Sequence, residues 1–448
     1  MSQPAPTLED IARQLDTGEI TSRQLVEDCL ARIADPDGEG ALTYISVDTV
    51  GARAVANAMD ALRKAGAAPS RFAGIPVSIK DLFDIKGQVT RAGSKVLSDR
   101  PPAAEDATAV ARLRQAGFVV MGRTNMTEFA YSGVGLNPHY GTPRGVWNRT
   151  QGHIPCGSSS GAAVSVADHM AHVGLGTDTG GSCRIPAAFN RLVGYKPSAQ
   201  RVPTKGAVPL SWTLDSIGSM ARSVSCCANV DSILAGEPEH DLSGSLEGVR
   251  FASPTNYVWD GSEAAVRDAF REACQRLERA GADIVELDVP ELSRIPQMSA
   301  KASFTAAESF AWHRALLAER GADYDPRVKV RIEVGSAQLA ADYVDLLHAR
   351  QRFIADVRHR LAGFDAIVCP TTPITPPRLS DFTTDAEFGR LNGLCLRNPT
   401  VFNWLDGCSI SLPIGSADVA PVGLMMSAFN GQDGTLFKLA AAAERALA

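Results

Sequence analysis

A lysine at the end of an apolar run constrains this chain more than any other feature. Gly74-Ile75-Pro76-Val77-Ser78-Ile79-Lys80-Asp81 reads as a short buried strand, and a buried ammonium is costly unless it is paired or neutralised. The fold must therefore bring a partner to Lys80 or let it reach water, and Asp81 is the partner nearest in sequence. Two glycine- and serine-rich stretches supply other partners. One runs from Cys156 through Gly157-Ser158-Ser159-Ser160-Gly161. The other is Thr177-Asp178-Thr179-Gly180-Gly181-Ser182-Cys183-Arg184-Ile185-Pro186. A lysine and two loop serines are the parts of a serine hydrolase whose base is lysine. An ordinary lysine, near 10.4, is roughly three units too basic to act as a neutral base at pH 7, and desolvation lowers it.

Each element also has an ordinary reading when taken alone. Lys80 fits a strand-end lysine reaching water or paired with Asp81. The triple serine fits a flexible loop. The Gly180-Gly181-Ser182 turn fits a strand-to-helix connection, or an anion nest of converging N–H groups. Gly157-Ser158-Ser159-Ser160-Gly161 also satisfies G-x-S-x-G, the nucleophile elbow centred on Ser159. An elbow must follow a strand, and residues 148–155 do not read as one. Cys183 beside Ser182 raises a cysteine nucleophile, on a side chain expected to point away. No histidine lies in a metal-binding or base-like motif, and His169 and His172 read as a helix-end pair.

The chain has 448 residues and a net charge of −6, from 44 basic and 50 acidic side chains. That balance argues against a nucleic-acid surface. Apolar stretches fall short of a membrane span, and Met1 to Pro6 shows no secretory signal. Nine cysteines without C-x-x-C spacing read as free thiols in a reducing cytoplasm.

Residues 1–65 read as helical, with capping signals at Thr7 and at Thr21-Ser22-Arg23-Gln24. Strand and helix then alternate. Strands are expected at 75–79, 118–121, 248–252, 283–287 and 365–369, and helices at 106–116, 263–280 and 436–447. The alternation predicts an α/β fold: a single large domain with a mixed, mostly parallel central sheet flanked by helices on both faces. Residues 298–320 and 335–361 read as long helices, so the region 291–361 is expected to cap the site.

The residues together resemble the amidase signature family. Gly74 to Asp81 and Thr177 to Pro186 match its lysine strand and its serine loop. Thr124 to Ala130, Asn137 to Gly141, Leu192 to Pro197, Ser211 to Gly218, Cys369 to Pro373 and Ala420 to Leu424 match further blocks, so the likeness spans essentially the whole chain as one domain. The resemblance implies that Ser182 is the nucleophile, Ser158 a bridging serine on a cis peptide and Lys80 the base. It implies an oxyanion hole from the N–H groups of Thr179, Gly180, Gly181 and Ser182, with no metal and no organic cofactor. Cys156 and Ser160 replace two glycines usual in the family. Ala130, Tyr131 and Gly133 align with its acyl pocket, with Phe304, Phe310, Trp312, Phe402 and Trp404 as looser candidates. No carboxylate clamp is visible in that set. It points to an uncharged or aromatic amide, anilide, ester or carbamate as the small-molecule substrate. The alternative is the glutaminase subunit of a tRNA-dependent amidotransferase. The sequence leaves a homodimer open.

Overall fold

Alternation along the buried strands decides how the layers form. In the computed structural model, which describes residues 6–448, Val77 and Ile79 enter a large apolar core, while Ser78 and Lys80 lie on the opposite face of their strand. Cys408, Ile410, Leu412 and Ile414 join the same core as Val77, and Ile367, Cys369 and Met425 join a second core across the sheet. Helices Val224–Ala235, Ala264–Arg279 and Asp433–Leu447 cover the first face; Ala340–Arg360 and Asp385–Trp404 contribute to the second.

The strands are β1 (Tyr44–Val47), β2 (Pro76–Lys80), β3 (Val119–Thr124), β4 (Val173–Asp178), β5 (Val193–Lys196), β6 (Ser216–Ala221), β7 (Arg250–Pro254), β8 (Asp283–Leu287), β9 (Ala366–Pro370), β10 (Cys408–Ile414) and β11 (Val422–Ala428). Among the described residues they form one sheet in the order β1-β3-β2-β4-β6-β5-β10-β11-β9-β7-β8. The α/β fold with a mixed sheet flanked by helices is as expected, but it is not mostly parallel. Parallel pairing is confined to β3-β2-β4 and β8-β7-β9. The middle, from β4 through β9, is antiparallel, as is β1 with β3. The reason is connectivity. Helix Thr108–Gln115 carries the crossover from β2 to β3, and helix Ala264–Arg279 that from β7 to β8. β10 and β11 are joined by a short loop with no helix to reverse the chain.

Two further expectations are corrected. Residues 1–65 are not wholly helical, because Tyr44–Val47 is an edge strand whose register on β3 is irregular. Four residues carry too little alternation to stand out beside the Ala-rich helix Thr49–Lys64. The long helix expected at 298–320 is broken: a short turn ends at Met298, and Ser303 caps a new helix, Phe304–Arg320. Both N-terminal capping signals form capping boxes, Thr7 with Asp10 and Thr21 with Gln24. The residues read for a secretory signal lie, except for Pro6, outside the described residues. No helix among the described residues is long and apolar enough to cross a membrane.

Helix Ser160–Ala167 sits on the polar side of β2, where Ser165 Oγ lies 2.8 Å from Ser78 Oγ. Its close seat needs Gly161. A Cβ there would lie 2.5 Å from the Thr43 carbonyl oxygen and 2.6 Å from the Asn125 nitrogen, both rigid backbone. Gly161→Ala is expected to cost at least about 1–3 kcal/mol as an overpacked site. Gly389, exposed in a helix with nothing near its missing Cβ, should gain about 0.4–1 kcal/mol as Ala. Paired thermal melts check this; equal shifts for both would show that the seat is not tight.

Candidate active site

Lys80 is fully buried, and its Nζ donates to Ser158 Oγ at 2.7 Å and to Thr177 Oγ1 at 2.8 Å. Both partners are neutral hydroxyls. The adjacent carboxylate, Asp81, turns away to Arg123 at 3.3 Å and accepts from the Gly93 N–H at 3.0 Å. Burial therefore dominates at Lys80 and lowers its pKa to about 8, although the charges around it, Asp215 and Asp178 among them, pull the other way. Thr177 is a site residue that the sequence reading passed over; its place at the end of β4, level with the lysine strand, was the available signal.

Ser158 is held from both sides. The Gly157–Ser158 peptide is cis. Gly157 N–H donates to the Gly133 carbonyl at 2.8 Å, and the Ser158 carbonyl accepts from Thr127 N–H at 3.1 Å. A Cβ at Gly157 would lie 2.7 Å from Gly135 Cα, so only glycine lets the two loop backbones approach. Ser159 is buried, with its hydroxyl toward the Thr177 carbonyl at 3.4 Å, and no strand precedes it. It does not have the exposed position of an elbow nucleophile.

The second loop is organised by Asp178. Its carboxylate accepts from the N–H groups of Gly181 at 2.9 Å and Cys183 at 3.1 Å, and from Arg184 Nη2 at 2.8 Å and Nε at 3.0 Å. Burial alone would raise the Asp178 pKa. The charge and hydrogen bonds of Arg184 outweigh it and hold the carboxyl well below the usual range. Gly181 has φ 126°, a conformation that favours glycine, and a Cβ there would meet Ile185 and Pro399 at 2.6 Å. Because its N–H is taken by Asp178, Gly181 is not a free donor. Of the four N–H groups expected to form an oxyanion hole, those of Thr179, Gly180, Gly181 and Ser182, it is the Gly181 one that is committed to Asp178. Thr179 is fixed through its Oγ1, 2.5 Å from Asp215 Oδ1, a buried carboxyl raised to about 6. Cys183 is buried, its thiol packed toward Gly176 and Gly218, and burial pushes it up to about 12. That is the wrong state for a nucleophile.

Ser182 opens onto a cavity of about 270 Å³, whose lining includes Thr179 and Gly180 of the same loop. Of the expected pocket residues, Ala130, Tyr131, Phe304 and Trp404 line it. Gly133 does not. It sits behind the wall, with its N–H donating to Asn392 Oδ1 at 2.8 Å. Phe310, Trp312 and Phe402 are also outside the lining: Phe310 and Trp312 pack against the main core, and Phe402 lies in the second. Arg331, Asn392 and Thr400, which were not among the expected pocket residues, also line it.

The family model described as Amidase matches residues 24–437. The chain belongs to the amidase signature family. As a member it is a hydrolase acting on C–N bonds. It is 32% identical to the 2-amino-5-chloromuconic acid deaminase of Comamonas testosteroni, over 94% of this chain and 91% of that one. It is 31% identical to a glutamyl-tRNA(Gln) amidotransferase subunit of Lacticaseibacillus paracasei, over 98% and 96%. Among solved structures, a crystal structure of an amidase superposes with a TM-score of 0.89 at 32% identity, covering 99% of this chain and all of that one. A peptide amidase bound to the competitive inhibitor chymostatin superposes at 0.81 and 26% identity, covering 98% and 97%.

Within this amidase the two departures from the usual glycines are both buried. Ser160 opens helix Ser160–Ala167, and Cys156 places its sulfur 3.6 Å from Cys395 as a free thiol. The Asp178–Arg184 pair is the element on which the loop carrying Ser182 rests. Asp178→Asn leaves a buried guanidinium uncompensated, which costs about 3–5 kcal/mol. A marked fall in melting temperature is expected; an unchanged melt would mean that the pair does not hold the loop.

Proposed function

We propose that the protein is a serine amidohydrolase in which Ser182 attacks the amide carbonyl and Ser158 and Lys80 relay the proton. The observation that carries this reading is the 2.7 Å contact between Ser158 Oγ and a buried lysine whose other partner is also a hydroxyl. A lysine near 8 is neutral in roughly a tenth of molecules at pH 7, which is enough to draw a proton when coupled to attack.

Ser182 Oγ adds to the carbonyl carbon. Its proton passes to Ser158 Oγ, whose own proton passes to Lys80 Nζ. The oxygen that gains charge is met by the N–H groups of Thr179, Gly180 and Ser182. As the C–N bond breaks, Ser158 returns a proton to the leaving amine and Lys80 reprotonates Ser158, leaving an acyl-enzyme on Ser182. Water, deprotonated through the same relay, adds to the acyl carbon and releases the acid. Asp178 and Asp215 touch no reacting atom in this scheme; they position the loop. Esters and carbamates fit the same chemistry, as they also present a carbonyl carbon with a leaving heteroatom.

A second reading, the glutaminase subunit of an amidotransferase, draws on the identity to the Lacticaseibacillus paracasei protein. It predicts hydrolysis of free glutamine in preference to other amides.

The test has two parts. A fluorophosphonate adduct should map to Ser182 by peptide mass spectrometry; an adduct on Ser159 or Cys183 would contradict the assignment. Lys80→Ala should lower amide turnover by orders of magnitude and ester turnover less, since an alkoxide leaves with less help than an amine. Because Lys80 must be neutral to accept a proton, kcat/KM should fall as pH drops below about 8 and level off above it. A folded Lys80→Ala enzyme with near wild-type amidase rates would rule out the relay.

A further inference from the structure

Two successive residues beside the cavity hold a backbone conformation that side chains disfavour. Phe129 has φ 50° and Ala130 has φ 59°, both left-handed and neither a glycine. Strain of this kind persists only where the surroundings over-determine it, and it gathers at functional sites. Both ends of the turn reach the chemistry. Thr127, at its start, donates its N–H to the Ser158 carbonyl at 3.1 Å. Ala130 and Tyr131, at its end, line the cavity that Ser182 also lines.

The side chain inside the turn, Glu128, has no part in the scheme above. It is fully buried, and among the described residues no lysine or arginine pairs with it. Its Oε1 accepts from Ser94 Oγ at 2.6 Å and from His139 Nε2 at 2.8 Å, and its Oε2 accepts from the Asp325 N–H at 2.7 Å. The three donors come from three separate stretches of chain: the segment after β2, the loop at 137–141, and the N-cap of helix Pro326–Glu333, where Asp325 is the capping residue. That helix returns to the turn through Arg331, whose Nη1 donates to the Tyr131 carbonyl at 2.7 Å. Phe129 packs on the far side, its ring centre 4.3 Å from that of His313 and 5.3 Å from that of Tyr324. Burying this carboxylate gains no ion pair with a lysine or arginine. What its three donors define is a position.

We propose that Glu128 is a positioning residue of this site: its carboxylate holds the left-handed turn so that Ser158 and the wall formed by Ala130 and Tyr131 keep one fixed relation. The proposal deepens the amidohydrolase reading and rests on it for the relay through Ser158, but not for the placement of Ser158 against Lys80. Reach matters here more than charge. Glutamine keeps the length of the side chain. With its Oε1 on the Asp325 N–H and its NH₂ toward Ser94 Oγ and His139 Nε2, both of which can accept, it makes the same three contacts. Aspartate keeps the charge but is one methylene short of donors fixed in three segments.

The experiment reads the site with and without turnover. In one arm the enzyme carries ¹³C at lysine Cε, and the Lys80 resonance reports the Ser158 contact in the resting protein. In the other, the rate at which a fluorophosphonate labels Ser182 reports the reactive geometry, and acetanilide hydrolysis reports amidase activity. Glu128→Ala and Glu128→Asp should shift the Lys80 resonance and slow labelling roughly 10- to 100-fold, the scale of an ångström-sized displacement within a site. Glu128→Gln should restore both. Glycine adopts the left-handed region freely, so Ala130→Gly added to Glu128→Ala should recover part of the lost rate. Melts show which variants are folded, and Glu128→Asp stands in where Glu128→Ala is not. A folded Glu128→Ala or Glu128→Asp with an unmoved resonance or wild-type labelling overturns the proposal. So does a Glu128→Gln as slow as Glu128→Ala, or no gain from Ala130→Gly. A Lys80 resonance that moves as predicted, in an enzyme whose Ser182 is never labelled and which never cleaves acetanilide, upholds the positioning and removes the amidohydrolase reading.

Discussion

The structure depends on keeping a buried ammonium away from carboxylates. Lys80 ends β2 on its polar face, and its acidic neighbours are each engaged elsewhere; Asp215, which also acts on Lys80, accepts from Thr179 Oγ1 and from the N–H groups of Leu210 and Ser211. Asp81, next in sequence, is committed to Arg123. Asp178, on the neighbouring strand, is committed to Arg184 and to the N–H groups of its own loop. Each arginine satisfies a carboxylate, and a carboxylate paired with the lysine instead would raise its pKa. What remains within reach of Nζ is a pair of hydroxyls. The same Asp178 that is withheld from Lys80 shapes the loop carrying Ser182, so one ion pair serves the electrostatics around Lys80 and the geometry around Ser182. Lys196 shows that burial alone is not the device. It too is fully buried and lowered to about 8, but its Nζ rests on the Pro197 carbonyl at 2.7 Å and has no serine of the site within reach.

Close backbone approach is the second requirement. Gly157 against Gly135 and Gly161 against Thr43 and Asn125 let the serine loop and its helix sit directly on the lysine strand. The sheet enables this through β4, where Gly174 and Gly176 face Ala162 and Ser159 with no side chain between. The apolar residues of the same strand, Val173 and Leu175, face the opposite core.

Much of this was legible in the chain. The run 76–80 and the strand 283–287 show as apolar segments, and helix Ala264–Arg279 shows a clear apolar stripe. Lys80, Ser158 and Ser182 stand out because each breaks a local rule: a charge in an apolar strand, or glycine and serine crowded at a turn. The antiparallel middle of the sheet was not legible, since strand direction follows from connections that carry no helix. The split at 299–303 was missed because both flanking segments have helical patterns. Arg331 and Asn392 were invisible for another reason. Each is an ordinary polar residue on a helix, and only tertiary packing brings it to the wall of the cavity that Ser182 lines. Gly181 was assigned as a donor from its motif, whereas the three-dimensional reach of Asp178 claims its N–H.

The central claim is that Lys80 is an unpaired, desolvated lysine able to accept a proton near neutrality. The direct measurement is an NMR titration of the enzyme labelled with ¹³C at lysine Cε, with Lys80→Arg to assign the resonance. The account predicts a Lys80 midpoint near 8, matching the acidic limb of kcat/KM. A midpoint at or above about 10.4, the value of an ordinary lysine, would contradict it.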